Sequence, residues 1–283
     1  MNSLFSFSIT LSSFIKIHES DNKILENISG CGFKNIEMFG EPEKIDLRYY
    51  KEMLSTFDFK VSGITGMWGK SSQNGWKRRL LSKDHCIVKH AEKYVMSCID
   101  MCRHFGGKVF NICLFSDPIE YLDVTHTNIV KNDKNTLLKR CIPLLRLLSD
   151  YAIERDVKLV IEPLNRYSTP YCCNYEDAKF LLQECDNLFL MLDTFHMNIE
   201  EDDFATTIVK SKYKLSHMHF ADNNRKMPGE GHIDFKTIIR TLKSINYDHS
   251  ISFEPTITET TNYPERIRAG FDFIKNLDST IKN

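Results

Sequence analysis

The chain lacks any run approaching the roughly 18 apolar residues that a membrane span needs, so the reading is of a protein that does not cross a membrane. Its first stretch, MNSLFSFSITLSSFIKIHES, has no basic segment ahead of its apolar residues and is interrupted by serines. It therefore reads as a first strand and not as a secretory leader. Net charge is also missing: 37 Lys plus Arg against 38 Asp plus Glu leaves a formal −1. That balance supplies no global field to gather nucleic acid or an anionic membrane. Paired CxxC spacing is absent, and the nine cysteines are odd in number and scattered, which predicts reduced thiols and a cytoplasmic location. No Pro/Gly/Ser linker, low-complexity tract or repeat divides the 283 residues, so one domain spanning 1–283 is expected.

What is present is a composition able to build a core, with 42% hydrophobic and 27% charged residues. Eight short β-branched or aromatic runs recur along it: FSFSIT (5–10), NIEMF (35–39), KVSGIT (60–65), KVFNICLF (108–115), VKLVIE (157–162), LFLMLD (188–193), LSHMHF (215–220) and SISFE (250–254). Helical patterns lie between them, for example at 24–31, 83–105 and 137–155, ending in glycines or basic residues as helix C-termini do. Eight such units in one domain-sized α/β chain predict a (β/α)8 TIM barrel, with its active site where the strands run out. A doubly wound sheet is the competing architecture.

Four of these strands end in groups that bind metals. Strand five ends in Glu162, strand six in Asp193, strand seven carries His217 and His219, and strand eight ends in Glu254. A carboxylate at a strand end also caps the following helix, and one histidine of HMHF can serve merely as a partner of the other. Capping does not explain carboxylates crowding one mouth, because they repel one another there. A divalent cation resolves that conflict. Three carboxylates and one imidazole favour Mn²⁺ or Co²⁺, with Mg²⁺ also admitted, over thiolate-rich structural zinc. Two open coordination positions would accept neighbouring hydroxyl and carbonyl oxygens of a substrate, and the ion would stabilise the enediolate left when a proton departs. Two glutamates on strands five and eight suit opposite faces of such a substrate, and so suit epimerisation.

The segments VIEPLNRY (160–167), LMLDTFHMNIEE (190–201), HMHFADNNRKMPGEGHIDF (217–235) and SFEP (252–255) resemble the sugar isomerase/epimerase superfamily of xylose isomerase-like barrels, nearest its ketose 3-epimerase branch of D-tagatose/D-psicose 3-epimerases. Residues 1–155 agree with it only in architecture. The resemblance implies that Glu162, Asp193, His219 and Glu254 are metal ligands, that Glu162 and Glu254 are also the catalytic pair, and that His196 and Arg225 bind the substrate. It further implies a small sugar as substrate and a homodimer or homotetramer. In one respect the sequence departs from the branch: Ser168 stands where a substrate-contacting Glu is usual. In the first half, Met67 and Trp68 offer an apolar wall, so Trp68 joins Ser168 among the expected substrate-binding residues. The vicinal Cys172 and Cys173 either line the pocket or pack at the opening of a helix.

Three other activities compete with ketose 3-epimerisation. An aldose–ketose 1,2-isomerase and a keto-inositol dehydratase use the same metal chemistry. An apurinic endonuclease-like phosphodiesterase shares the LDTFH and HMHF regions, but its several zinc ions require histidines at the ends of early strands, and NIEMF, SGIT and NICLF supply none. His232 alone mimics a later ligand of that cluster.

Overall fold

Alternation along each strand sends one set of side chains inward and the other outward, and eight strands buried in this way pair in chain order and close on themselves in a computed structural model. The structure describes residues 5–117, 127–258 and 262–281, without the side chains of 127–133. Its elements run β1 (Ser6–Thr10), α1 (Asp21–Gly30), β2 (Asn35–Gly40), α2 (Leu47–Thr56), β3 (Lys60–Gly66), α3 (His85–Phe105), β4 (Val109–Ile112), α4 (Thr127–Ile153), β5 (Lys158–Ile161), α5 (Tyr175–Glu184), β6 (Leu188–Asp193), α6 (Thr194–Glu200), α7 (Phe204–Ser211), β7 (Leu215–Phe220), α8 (Phe235–Ser244), β8 (Ser250–Phe253) and α9 (Tyr263–Thr280). Every strand pair is parallel, and β1 closes the ring against β8. The predicted TIM barrel is what the chain forms, with all eight strands at the expected places.

Two packed layers hold this ring. Outward-facing side chains such as Ile36, Ile64, Phe110, Ile161, Leu192, Phe220 and Phe253 are buried in one apolar core with the helices. The bore is different. Val109, Val160 and Met191 form a separate small cluster with Phe189 against it, whereas Glu37, His217 and His219 are completely buried polar groups. Polar partners extend this side: Thr10 and Thr65 share a 2.6 Å hydroxyl hydrogen bond, and Ser62 Oγ donates to Ser8 Oγ at 2.9 Å. Buried polar groups require such partners.

Helix ends follow local chemistry. Asp84 caps α3 by accepting from the Cys86 amide, and Gly106 closes it at φ +77°. Helix α4 begins well before the expected 137, because the polar stretch at its start carries no apolar periodicity. No helix among the described residues is long and apolar enough to cross a membrane.

Candidate active site

The strands' C-terminal ends open into a cavity of about 650 Å³. A larger one, about 940 Å³, lies at the opposite end beside the first residues of several strands, with Lys60, Lys108 and Lys158 on its wall. Active sites of this architecture sit at the C-terminal end, and Glu162, Glu254, His196 and Arg225 line the cavity there.

One ligand atom from each of Glu162, Asp193, His219 and Glu254 lies within 4.8 Å of the others. That spread matches donors placed about 2.0–2.2 Å from one shared cation, and the oxygen-rich donor set fits a hard divalent ion. Arg225 enters the same group and donates to both Asp193 Oδ2 and Glu254 Oε2. Where the sequence points to a divalent cation alone to relieve the crowded charge, the guanidinium carries part of it.

Asp193 caps a helix and still faces the acid cluster. Its Oδ1 accepts from the Phe195 amide at 2.8 Å and so caps α6, while Oδ2 faces Arg225 and the cluster. The cap fixes the carboxylate plane, which aims the second oxygen.

The two glutamates are tuned apart. Burial, and then the nearby charge of Glu254, pushes the Glu162 carboxyl up to about 8. Its Oε2 accepts from Asn111 Nδ2 at 2.6 Å and faces the Cys113 thiol at 3.4 Å. Burial also pushes Glu254 upward, but Arg225 and His219 outweigh it and hold that carboxyl near 2. Without a cation the two carboxyls thus differ in proton affinity, and a divalent ion shared between them would favour the ionised form of both.

His196 stands beside the acids without joining their cluster, its Nε2 lying 3.9 Å from Glu162 Oε1 and from Asp193 Oδ2. Burial drives its pKa down to about 4, so the ring is neutral at ordinary pH. Asn165 Nδ2 donates to His196 Nδ1 at 2.9 Å. That bond places the ring proton on Nε2, the nitrogen facing the acids, and makes it a donor. Arg166 holds the neighbouring loop to α6 through Glu200.

Arg225 adopts φ +59°, a left-handed conformation that costs a bulky residue on the order of 1–3 kcal/mol. The loop holds it there. Asp222 accepts from the amides of Asn223, Gly229 and Ile233, and a Cβ on Gly231 would lie 2.2 Å from Asp222 Oδ1. The Arg225 carbonyl accepts from the Thr256 amide at 2.7 Å, and its guanidinium lies 4.8 Å from the centre of the Phe195 ring.

The acid cluster rests on a group that the strand pattern does not mark. Glu37, in mid-β2, accepts through Oε2 from His219 Nε2 at 2.9 Å and His217 Nε2 at 3.3 Å, and His217 Nδ1 meets Ser250 Oγ at 3.0 Å. The chain Ser250–His217–Glu37–His219 buttresses the ring, leaving Nδ1 of His219 toward Glu254 at 3.1 Å. Histidines that bind metal through one nitrogen are commonly oriented by a carboxylate on the other. Of the two histidines left open by HMHF, His219 joins the acid cluster and His217 supports it.

Ser168 and Trp68 both line the cavity. The indole N–H of Trp68 is taken up by the Asn111 carbonyl at 3.2 Å, so the ring contributes apolar surface; a Cβ on Gly66 would lie 2.1 Å from that nitrogen. Met67 lines it as well. Cys172 and Cys173 are buried just before α5 and do not line the cavity, which decides for packing. His232 also stands outside the cavity lining.

The xylose isomerase-like TIM barrel family model matches residues 25–277, and the chain belongs to that family. Its relatives set it among isomerase-class enzymes, with the epimerases. It is 35% identical over 266 residues to D-psicose 3-epimerase of Enterocloster bolteae, covering 90% of this chain and 83% of that protein. It is 25% identical over 240 residues to L-ribulose 3-epimerase of a Methylomonas species, covering 84% and 79%. The fold is similar to that of D-psicose 3-epimerase from Clostridium cellulolyticum H10 solved with D-tagatose, at a TM-score of 0.78 and 21% identity over 96% of this chain and 99% of the other.

Proposed function

We propose that the protein is a divalent-metal-dependent epimerase acting at carbon 3 of a ketose or ketose derivative. The observation that carries this reading is the approach of Glu162 and Glu254 to one cavity from β5 and β8, with Asp193 and His219 in the same cluster. Carbon 3 lies next to the ketose carbonyl, so its proton is acidic enough to be removed by a carboxylate. One glutamate takes the proton from one face, and the other returns a proton to the opposite face. His196, neutral and donating from Nε2, bonds the carbonyl oxygen as negative charge grows on it, and Arg225 supplies fixed donors to a neighbouring oxygen. Glu162, Asp193, His219 and Glu254 would hold the ion, Mn²⁺ or Co²⁺ with Mg²⁺ as the alternative, which supplies charge stabilisation to the substrate oxygens. Phosphodiester chemistry is disfavoured because His196 stays outside the acid cluster, and His217 is enclosed in the bore with no exposed surface. A cytoplasmic location and a homodimeric or homotetrameric assembly belong to the same proposal.

The test is NMR of D-fructose and D-tagatose incubated with Mn²⁺-loaded protein. Carbon-3 epimers should accumulate, a chelator should stop the reaction and added Mn²⁺ should restore it. Aldoses as the first product would favour the 1,2-isomerase, and loss of water from an inosose would favour the dehydratase.

A further inference from the structure

The cavity extends past the acids to a rim that the proposed proton transfers leave unused. Lys16, beyond the 3-10 turn Leu11–Phe14 that follows β1, lines it, as does Lys70 in the loop after β3. Neither ammonium meets an acid: Glu162 and Glu254 are the only carboxylates lining the cavity among the described residues, and Arg225 and His219 engage Glu254. Both ammonium groups are on exposed residues at the mouth of the cavity. Ser168 adds no charge where the ketose 3-epimerases it resembles usually carry Glu.

Formal charge points the same way. Glu162, Asp193 and Glu254 in their ionised, metal-holding form sum to zero with Arg225 and a divalent ion, while Glu37 lies sealed in the bore against His217 and His219; Lys16 and Lys70 then add positive charge at the mouth. A neutral sugar would leave both lysines without a counter-charge.

We infer that the substrate is a ketose bearing an anionic group, phosphoryl or carboxylate, at the end remote from the reacting carbons, with Lys16 and Lys70 as its counter-charges. This rests on the ketose-epimerase reading of the cavity. Both lysines act on ground-state binding, so their effect falls chiefly on KM.

The experiment compares kcat/KM for D-fructose, D-fructose 6-phosphate and D-fructuronate in the Mn²⁺-loaded wild type and in Lys16→Gln/Lys70→Gln, with calorimetric titration of the same three compounds. At least one anionic sugar should exceed D-fructose by tenfold or more, and the one that does names the group. The double lysine variant should lower that ratio at least tenfold, mainly through KM. A wild type that epimerises D-fructose as well as either anionic sugar overturns the inference and leaves the epimerase reading intact. If no ketose is epimerised, the reading of the reaction falls and the titrations decide the rim. Tighter binding of an anionic sugar that is lost in the double variant supports it; equal binding of charged and neutral sugars overturns it.

Discussion

Replacing Glu37 with Gln separates a buttress of the metal site from a residue that merely fills the barrel. The substitution keeps side-chain length and one oxygen acceptor but removes a buried negative charge. Two imidazole N–H groups now donate to Oε2, at 2.9 and 3.3 Å, and Oε1 has no partner. Hydrogen bonds to charged groups contribute about 1.5–3 kcal/mol against about 1 kcal/mol for neutral ones, so the pair of contacts loses roughly 1–4 kcal/mol. The new amide N–H group, set where Oε1 stood, adds a further desolvation cost of about 1–3 kcal/mol. Part of this loss is felt at His219, whose ring then has a weaker anchor opposite Nδ1. Loss of such a partner lowers metal affinity about 10- to 100-fold. Chelator competition with Mn²⁺ measures that affinity, and thermal melting of the metal-free protein measures the structural part. A Glu37→Gln protein that melts lower yet binds Mn²⁺ within twofold of wild type would refute the buttress.

Asn165→Leu removes the donor to His196 Nδ1 and frees the ring to carry its proton on either nitrogen; kcat should fall about 10- to 100-fold with metal content unchanged, and metal analysis beside steady-state kinetics checks this. The buried pair of Arg78 Nη2 and Glu41 Oε2, 2.7 Å apart, holds the loop that carries Met67 and Trp68, since Arg78 also donates to the Met67 carbonyl. Breaking it with Glu41→Gln should cost about 3–5 kcal/mol, a loss of several degrees in Tm. Burial pushes the Glu41 carboxyl up, but bonds from Arg78 and Ser72 outweigh burial and leave it below the ordinary value. The pair's contribution is therefore complete above the unfolded value of about 4.3 and is lost as pH falls through the lower folded value. The Tm gap between wild type and Glu41→Gln should narrow in acid, and a gap independent of pH would contradict the assignment.

The strands were legible because their apolar runs are short, β-branched and evenly interrupted, and the polar residues ending them stood out against that background. Asp193, His219, Glu162 and Glu254 converge because each ends, or nearly ends, a strand of one ring. Glu37 was not legible, since its partners lie about 180 residues away on β7 and the motif NIEMF reads as an ordinary alternating strand. Nor did Asn165 stand out within VIEPLNRY, because its role depends on a loop reaching the start of α6. Local spacing also posed capping against a place in the acid cluster at Asp193, when one oxygen of the carboxylate caps α6 and the other faces that cluster. The hub at Asp222 was hidden for a related reason: its three amide donors come from separate parts of one loop.

The claim that two glutamates exchange protons across a ketose is tested most directly by running the metal-loaded protein in deuterated water and reading the first product molecules by NMR. Two-base epimerisation predicts one solvent deuteron at carbon 3 of the product, with little deuterium in the remaining substrate at early times. A carbon-3 epimer that forms while keeping the substrate's original proton would contradict it.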